Sequence, residues 1–247
     1  MKDNYFKFTP SVWIVPTILL GFIWMVFWLD QHFGLQMGQY GIEPRRFEGL
    51  RGLFLSPFIH RDLGHIANNA IPLFVLSFAL IYFYRAASLK VLFYGIFFSG
   101  FLTWLIGRDA HHIGASGLVY VLVSFLFFKG VKTGYYRLMA LSMAVVLSYG
   151  GLIWFVFPQA DSSISWEGHL AGLITGFVFA QIIKTPNYIK IPQFEWQKPN
   201  FDPSKDEFMS YFDADGHFVN RPKVAAEWDY YVSNLEVFRI MPIEILK

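Results

Sequence analysis

The 247-residue chain contains no cysteine. It therefore has no disulfide, no thiolate nucleophile and no thiolate metal ligand, so any covalent chemistry falls to serine, threonine, lysine or a carboxylate. Charge is scarce too: Asp, Glu, Lys and Arg make up 15% of the residues, against 55% hydrophobic and 20% aromatic. A soluble domain carries about a quarter charged residues, and with a mean hydropathy of +0.40 this composition points to a bilayer. The formal net charge of +2 is small and the basic residues are scattered, not gathered in a stripe, which argues against nucleic acid as a partner. There is no His-Glu-x-x-His pattern. Trp166-Glu167-Gly168-His169 supplies one histidine where a zinc helix needs two, so no metal and no other cofactor is expected. Internal repeats and low-complexity tracts are also missing.

What the chain does have is uncharged runs. Six segments lack charge: 12–29, 66–84, 91–107, 113–128, 138–160 and 170–183. Most approach the ~20 apolar residues that a helix needs to cross about 30 Å of hydrocarbon. The predicted fold is therefore an all-α bundle of six transmembrane helices. The first run is too long for a signal-peptide core and has no small-residue cleavage site after it, so it reads as a retained anchor. Lys2 and Lys7, Arg85 and Lys90, Lys129, Lys132 and Arg137, and Lys184 and Lys190 fall at alternate ends of the runs. By the positive-inside rule those ends, and both termini, are cytoplasmic.

The connection from Asp30 to Gly64 mixes Arg45, Arg46, Arg51 and Arg61 with Phe47, Leu50, Leu53, Phe54 and Phe58, a blend that suits an interfacial amphipathic element. Residues 1–184 form the expected membrane domain and 185–247 a small cytoplasmic tail with turn signals at Asp202-Pro203 and Asp213-Ala214-Asp215-Gly216. The second turn is not a calcium loop, since Tyr211 and Pro222 stand where an EF-hand needs acidic ligands.

Depth locates the chemistry. Ser116 lies thirteen residues before Lys129, and His169 fifteen before Lys184, roughly 20 Å and 22 Å of helix. Both then sit some 10 Å below the outer surface of a core about 30 Å thick, where an ionisable ring without a partner is costly and reads by default as functional. The last run carries His169, Gly172, Gly176 and Ala180 on one small-residue face, which permits close backbone approach to a neighbour. That approach would bring the His169 imidazole to the Ser116 hydroxyl as the base a serine nucleophile needs. Tyr120, one turn after Ser116, would buttress the ring in place of a carboxylate. Gly114 and Gly117, flanking the serine, let a substrate backbone come near it. His65 and Asn69, four apart at the start of the second run, present donors for a developing oxyanion at the same depth.

Together, Gly114-Ala115-Ser116-Gly117, His65 with Asn69, the His169 helix with Gly172 and Gly176, and the six runs resemble the rhomboid family of intramembrane serine proteases over about residues 12–184. The resemblance implies a Ser116–His169 dyad and an oxyanion site from His65, Asn69 and the Ser116 amide. It also implies Tyr120 packed on the histidine, and metal-independent cleavage of single-pass or polytopic transmembrane substrates. His60 and Arg51 match two further loop positions, whereas the tryptophan common before that arginine is Leu50 here. A bacterial plasma membrane is the expected location, and the sequence assigns no oligomeric state.

Each residue also has a plainer reading. Ser116 fits a helix-packing position, His169 a hydrogen-bonded structural histidine, Asn69 a helix crosslink and Tyr120 ordinary core, and it is the pairing at matched depth that favours chemistry. A catalytically silent relative that binds membrane helices is the main alternative. A solute transporter would be expected to place a carboxylate or lysine within the spans.

Overall fold

The computed structural model describes residues 6–158, 164–188, 194, 200–202, 206, 208–213 and 215–219. Contacts divide the chain into two compact units, residues 1–190 and 191–247. Among the described residues of the first are seven α-helices: α1 Ser11–Phe33, α2 Gly52–Leu55, α3 Leu63–Phe83, α4 Arg85–Ile106, α5 Ser116–Thr133, α6 Tyr136–Tyr149 and α7 Trp166–Ile182. No strand is found among the described residues. The all-helical class is as the sequence predicts. Five helical stretches are long and apolar enough to cross a membrane, the fifth running from α6 through a 3-10 segment to Val156. At seventeen residues, α7 spans about 26 Å and falls just short of that length, so a count of six is not reached on length and composition alone.

Helix ends differ from the uncharged runs because charge at a terminus does not stop a helix. Helix α4 starts at Arg85 and includes Lys90, and α1 carries Asp30 and Gln31 in its last turn before Gly34 closes it in a left-handed conformation. The run from 138 is not one helix: α6 stops at Tyr149 and Gly150–Val156 winds as a 3-10 helix, while 159–160 lie outside the described residues. The first connection forms short helical turns, and Gly100 of α4 lies close enough to Leu53 of α2 that a Cβ would stand 3.2 Å from the Leu53 Cα.

Helix α5 is central, touching α3, α4, α6 and α7. Its consecutive residues Leu118, Val119, Tyr120, Val121 and Leu122 are all buried, as expected for a helix apolar on every face. Helix α1 buries little beyond Val12, Pro16 and Ile23, and exposes Trp13, Ile18, Met25 and Trp28, a surface suited to lipid. The α5–α7 contact is the most extensive in the bundle. A Cβ on Gly172 would meet the Gly117 carbonyl and stand 2.8 Å from the Tyr120 Cβ, and one on Gly176 would stand 2.7 Å from the Ser124 Cβ. The Ser124 hydroxyl donates across the contact to the Leu173 carbonyl at 2.7 Å. In the tail, the Asp213 carboxylate accepts from the amides of Asp215 and His217 at 2.9 and 2.8 Å, a turn stabilised by its own side chain; Pro203 lies outside the described residues.

This packing generates a contrast. Gly172→Ala must push α5 and α7 apart and should cost about 1–3 kcal/mol or more, whereas Gly21→Ala in α1, where nothing lies within 4 Å, should be neutral or gain up to about 1 kcal/mol. Thermal unfolding in detergent compares the two; equal effects would contradict the packing.

Candidate active site

Four helix ends converge at one end of the bundle. Asp62 caps α3, its carboxylate accepting from the His65 amide at 2.8 Å. His65 and Asn69 thereby occupy the first two turns, where Asn69 Nδ2 donates to the His65 carbonyl at 2.8 Å. One Asn69 N–H is engaged in this way and a second remains on the same nitrogen. Gly114 makes room for the His65 ring: its φ is +108°, and a Cβ there would stand 2.6 Å from His65 Nε2. Helix α5 begins at Ser116, so the amides of Ser116 and Gly117 have no carbonyl four residues back within the helix and are free to serve as donors.

His169 lies in the first turn of α7. Its Nδ1 is 2.9 Å from the Phe155 carbonyl. Because a carbonyl only accepts, that nitrogen carries the proton, leaving Nε2 of the neutral ring with an open lone pair. The Tyr120 ring stacks on the imidazole with centroids 4.4 Å apart and planes within 14°, and the Tyr120 hydroxyl donates to the Leu152 carbonyl at 2.7 Å. Both rings are thus tied to the 3-10 segment Gly150–Val156. A cavity of about 740 Å³ is lined by His65, Asn69, Ser116, Tyr120 and His169, among others. No described hydrogen bond joins Ser116 to His169. Such contacts are commonly loose before substrate binds.

Further groups hold this geometry. Glu167, 2% exposed, pairs with Arg108 at 3.3 Å and accepts the Arg108 amide at 3.2 Å, fixing the α4–α5 turn against the first turn of α7. His112 Nδ1 lies 2.6 Å from the Ser165 hydroxyl and its Nε2 lies 3.1 Å from the Arg108 carbonyl. Ser165 Oγ in turn accepts the Gly168 amide at 3.3 Å. The chain of donors runs from Gly168 through Ser165 to a neutral His112, whose pKa burial pushes down. His60, 1% exposed, receives the Ala115 amide on Nε2 at 3.4 Å, and its ring lies 5.1 Å from that of His65. Burial, and then the neighbouring His65, lower its pKa to about 4.

The structure brings Ser116, His169, His65, Asn69 and Tyr120 to one cavity. Gly114 stands against His65, and Gly117 lies under Gly168, whose carbonyl would be 3.6 Å from an added Cβ. Sequence reasoning missed the Phe155 and Leu152 carbonyls, since backbone acceptors leave no mark in a sequence. His112, which the sequence does not single out, is 4% exposed, its backbone paired with Ile42 in an isolated antiparallel bridge. Arg51 lies over the Tyr40 ring at 4.7 Å and donates to the Gln39 carbonyl at 3.2 Å, bracing the first loop.

Comparison with known proteins adds independent findings. A family model described as the Rhomboid domain matches residues 48–185. Uncharacterized proteins of Mycobacterium tuberculosis and Mycobacterium bovis are each 31% identical over 194 residues, covering 70% of this chain and 78% of theirs. A chain of Acanthamoeba polyphaga mimivirus, named a putative rhomboid protein, is 29% identical over 139 residues, 53% of this chain and 74% of that one.

The state of His60 makes stability depend on pH. Its folded pKa of about 4 lies below the ordinary 6.5, so on acidification the unfolded chain takes up this proton first. Stability should fall between pH about 6.5 and about 4 by at most about 3 kcal/mol from this group, and level off below. Unfolding midpoints across that range, with His60→Gln flattening part of the fall, provide the check; an unchanged slope in the variant would contradict the assignment.

Proposed function

We propose that this chain, which belongs to the rhomboid family, is an intramembrane serine endopeptidase that cuts transmembrane proteins in or near the outer half of their spans. The observation that carries this reading is the hydrogen bond from His169 Nδ1 to the Phe155 carbonyl at 2.9 Å, which sets the tautomer a general base requires beside a cavity that Ser116 also lines. An Asp performs this orienting role in soluble serine proteases. In a bilayer a buried carboxylate is expensive, and a backbone carbonyl with a stacked tyrosine does the same without a charge.

The chemistry follows from these positions. Ser116 Oγ attacks the scissile carbonyl while His169 Nε2 takes its proton, and the carbonyl oxygen becomes an oxyanion. Ser116 N–H, the remaining Asn69 N–H and His65 supply donors to it. Collapse expels the amine, which receives the proton from His169, and water then hydrolyses the acyl-enzyme by the same steps in reverse roles. Neither metal nor cofactor has a part in this sequence. In this reading α7 is the sixth span, both termini are cytoplasmic, and the membrane is a bacterial plasma membrane. The site then lies about 10 Å below the outer surface, and substrates with helix-weakening residues there are the ones whose carbonyls become accessible.

Incubation of purified protein in liposomes with a single-pass substrate tests the reading. Ser116→Ala and His169→Ala should each lower cleavage by roughly a thousandfold or more, with the double variant little worse, and stability within about 1 kcal/mol of the parent. Wild-type turnover in either variant would refute the dyad. No cleavage by the parent, together with retention of the substrate helix, would favour a silent helix-binding relative.

Asn69→Ala separates a donor to the transition state from a residue that merely holds substrate. It should lower kcat roughly tenfold to a thousandfold with little change in KM. A raised KM at unchanged kcat would instead assign Asn69 to substrate binding.

A further inference from the structure

At the opposite end of the bundle from Ser116, a cavity of about 400 Å³ opens between the start of α4 and the segment that follows α7. It is lined by Tyr84, Arg85, Ala86, Lys184, Pro186 and Tyr188, among others. Helix α4 begins here without a side-chain cap. The Arg85 and Ala86 amides, at the positive end of a 22-residue helix, therefore lack intrahelical acceptors. Arg85 and Lys184 add two full charges at the rim. Among the described residues neither pairs with a carboxylate.

A second observation is independent of the helix terminus. Tyr84 is 2% exposed, yet its hydroxyl has no hydrogen-bond partner, which leaves a buried donor without an acceptor at a cost that a ligand oxygen would remove. The far wall is held in place by ring contacts, Tyr188 lying 5.1 Å from Tyr135 and 6.0 Å from Phe6. Charge is segregated around the cavity as well. This end of the bundle carries Lys7, Arg85, Lys90, Lys132, Arg137 and Lys184, and the acidic residues described between 6 and 188 all lie at the other end.

We propose that this cavity binds a phosphate group, presented by the headgroup of an anionic phospholipid. Open helix amides, two cations and a buried hydroxyl donor are complementary to phosphate oxygens. A basic pocket between helices at the level of the headgroups is where such lipids are held. This inference does not depend on the protease reading.

The test uses the full-length protein in a neutral detergent, with thermal unfolding and native mass spectrometry as readouts. The probes are phosphatidylglycerol, phosphatidylcholine and inorganic phosphate. Phosphatidylglycerol should raise Tm and remain bound, and phosphatidylcholine should do neither. The double variant Arg85→Gln/Lys184→Gln should weaken the response by about thirtyfold, taking about 1 kcal/mol for each charge. Tyr84→Phe, which leaves the packing intact, should weaken it severalfold. Lys90→Gln/Lys132→Gln, equal in charge but outside the cavity, should not weaken it. A response to inorganic phosphate alone with the same dependence on Arg85 and Lys184 would identify a soluble phosphate as the ligand and still place it in this cavity. A loss as large in the Lys90/Lys132 variant, or no loss in the Arg85/Lys184 variant, would overturn the site.

Discussion

Everything at the candidate site depends on how closely the backbones of α5 and α7 approach. Gly172 and Gly176 leave no side chain between the helices, and an added Cβ at Gly172 would reach the Gly117 carbonyl. In lipid there is little hydrophobic force between helices, so contact of this kind, with the Ser124–Leu173 hydrogen bond, is what holds them. The same approach brings the first turn of α7, with His169, beside the first two turns of α5, with Ser116 and Tyr120. A larger residue at either glycine would disturb packing and site geometry together.

The second constraint is the orientation of a polar ring among apolar helices without spending another buried charge. The Phe155 carbonyl holds one ring nitrogen and the Tyr120 face holds the plane. Both supports lead to the 3-10 segment after α6, where the Leu152 carbonyl receives the tyrosine hydroxyl. The ion pair of Arg108 with Glu167, and the Gly168–Ser165–His112 chain, hold the other side of the same turn. The proposed reacting residues are thus supported by neutral hydrogen bonds on one flank and by a single compensated charge pair on the other.

Much of this was legible in the residues themselves. The helical class followed from the uncharged runs, and the α5–α7 contact from Gly172 and Gly176 at four-residue spacing. The gathering of Ser116 and His169 followed from depth counted against the lysines, and that of His65 and Asn69 from their place at the same end of the second run. Three features were not legible, each for a physical reason. Helices such as α4 run on past Arg85 and Lys90 because long basic side chains reach headgroups from within a helix. The break after Tyr149 follows from Gly150 and Gly151 in an otherwise apolar run, which periodicity does not register. The burial of His112 goes with its bridge to Ile42, a contact between residues seventy positions apart.

The most direct test of the central claim, that His169 acts as base to a nucleophilic Ser116, is covalent labelling with a fluorophosphonate followed by mass mapping of the adduct. Labelling requires an activated hydroxyl and no protein substrate. The account predicts a single adduct on Ser116, lost when His169 is replaced by alanine and restored by no other histidine. An adduct on another serine, or undiminished labelling of Ser116 without His169, would contradict it.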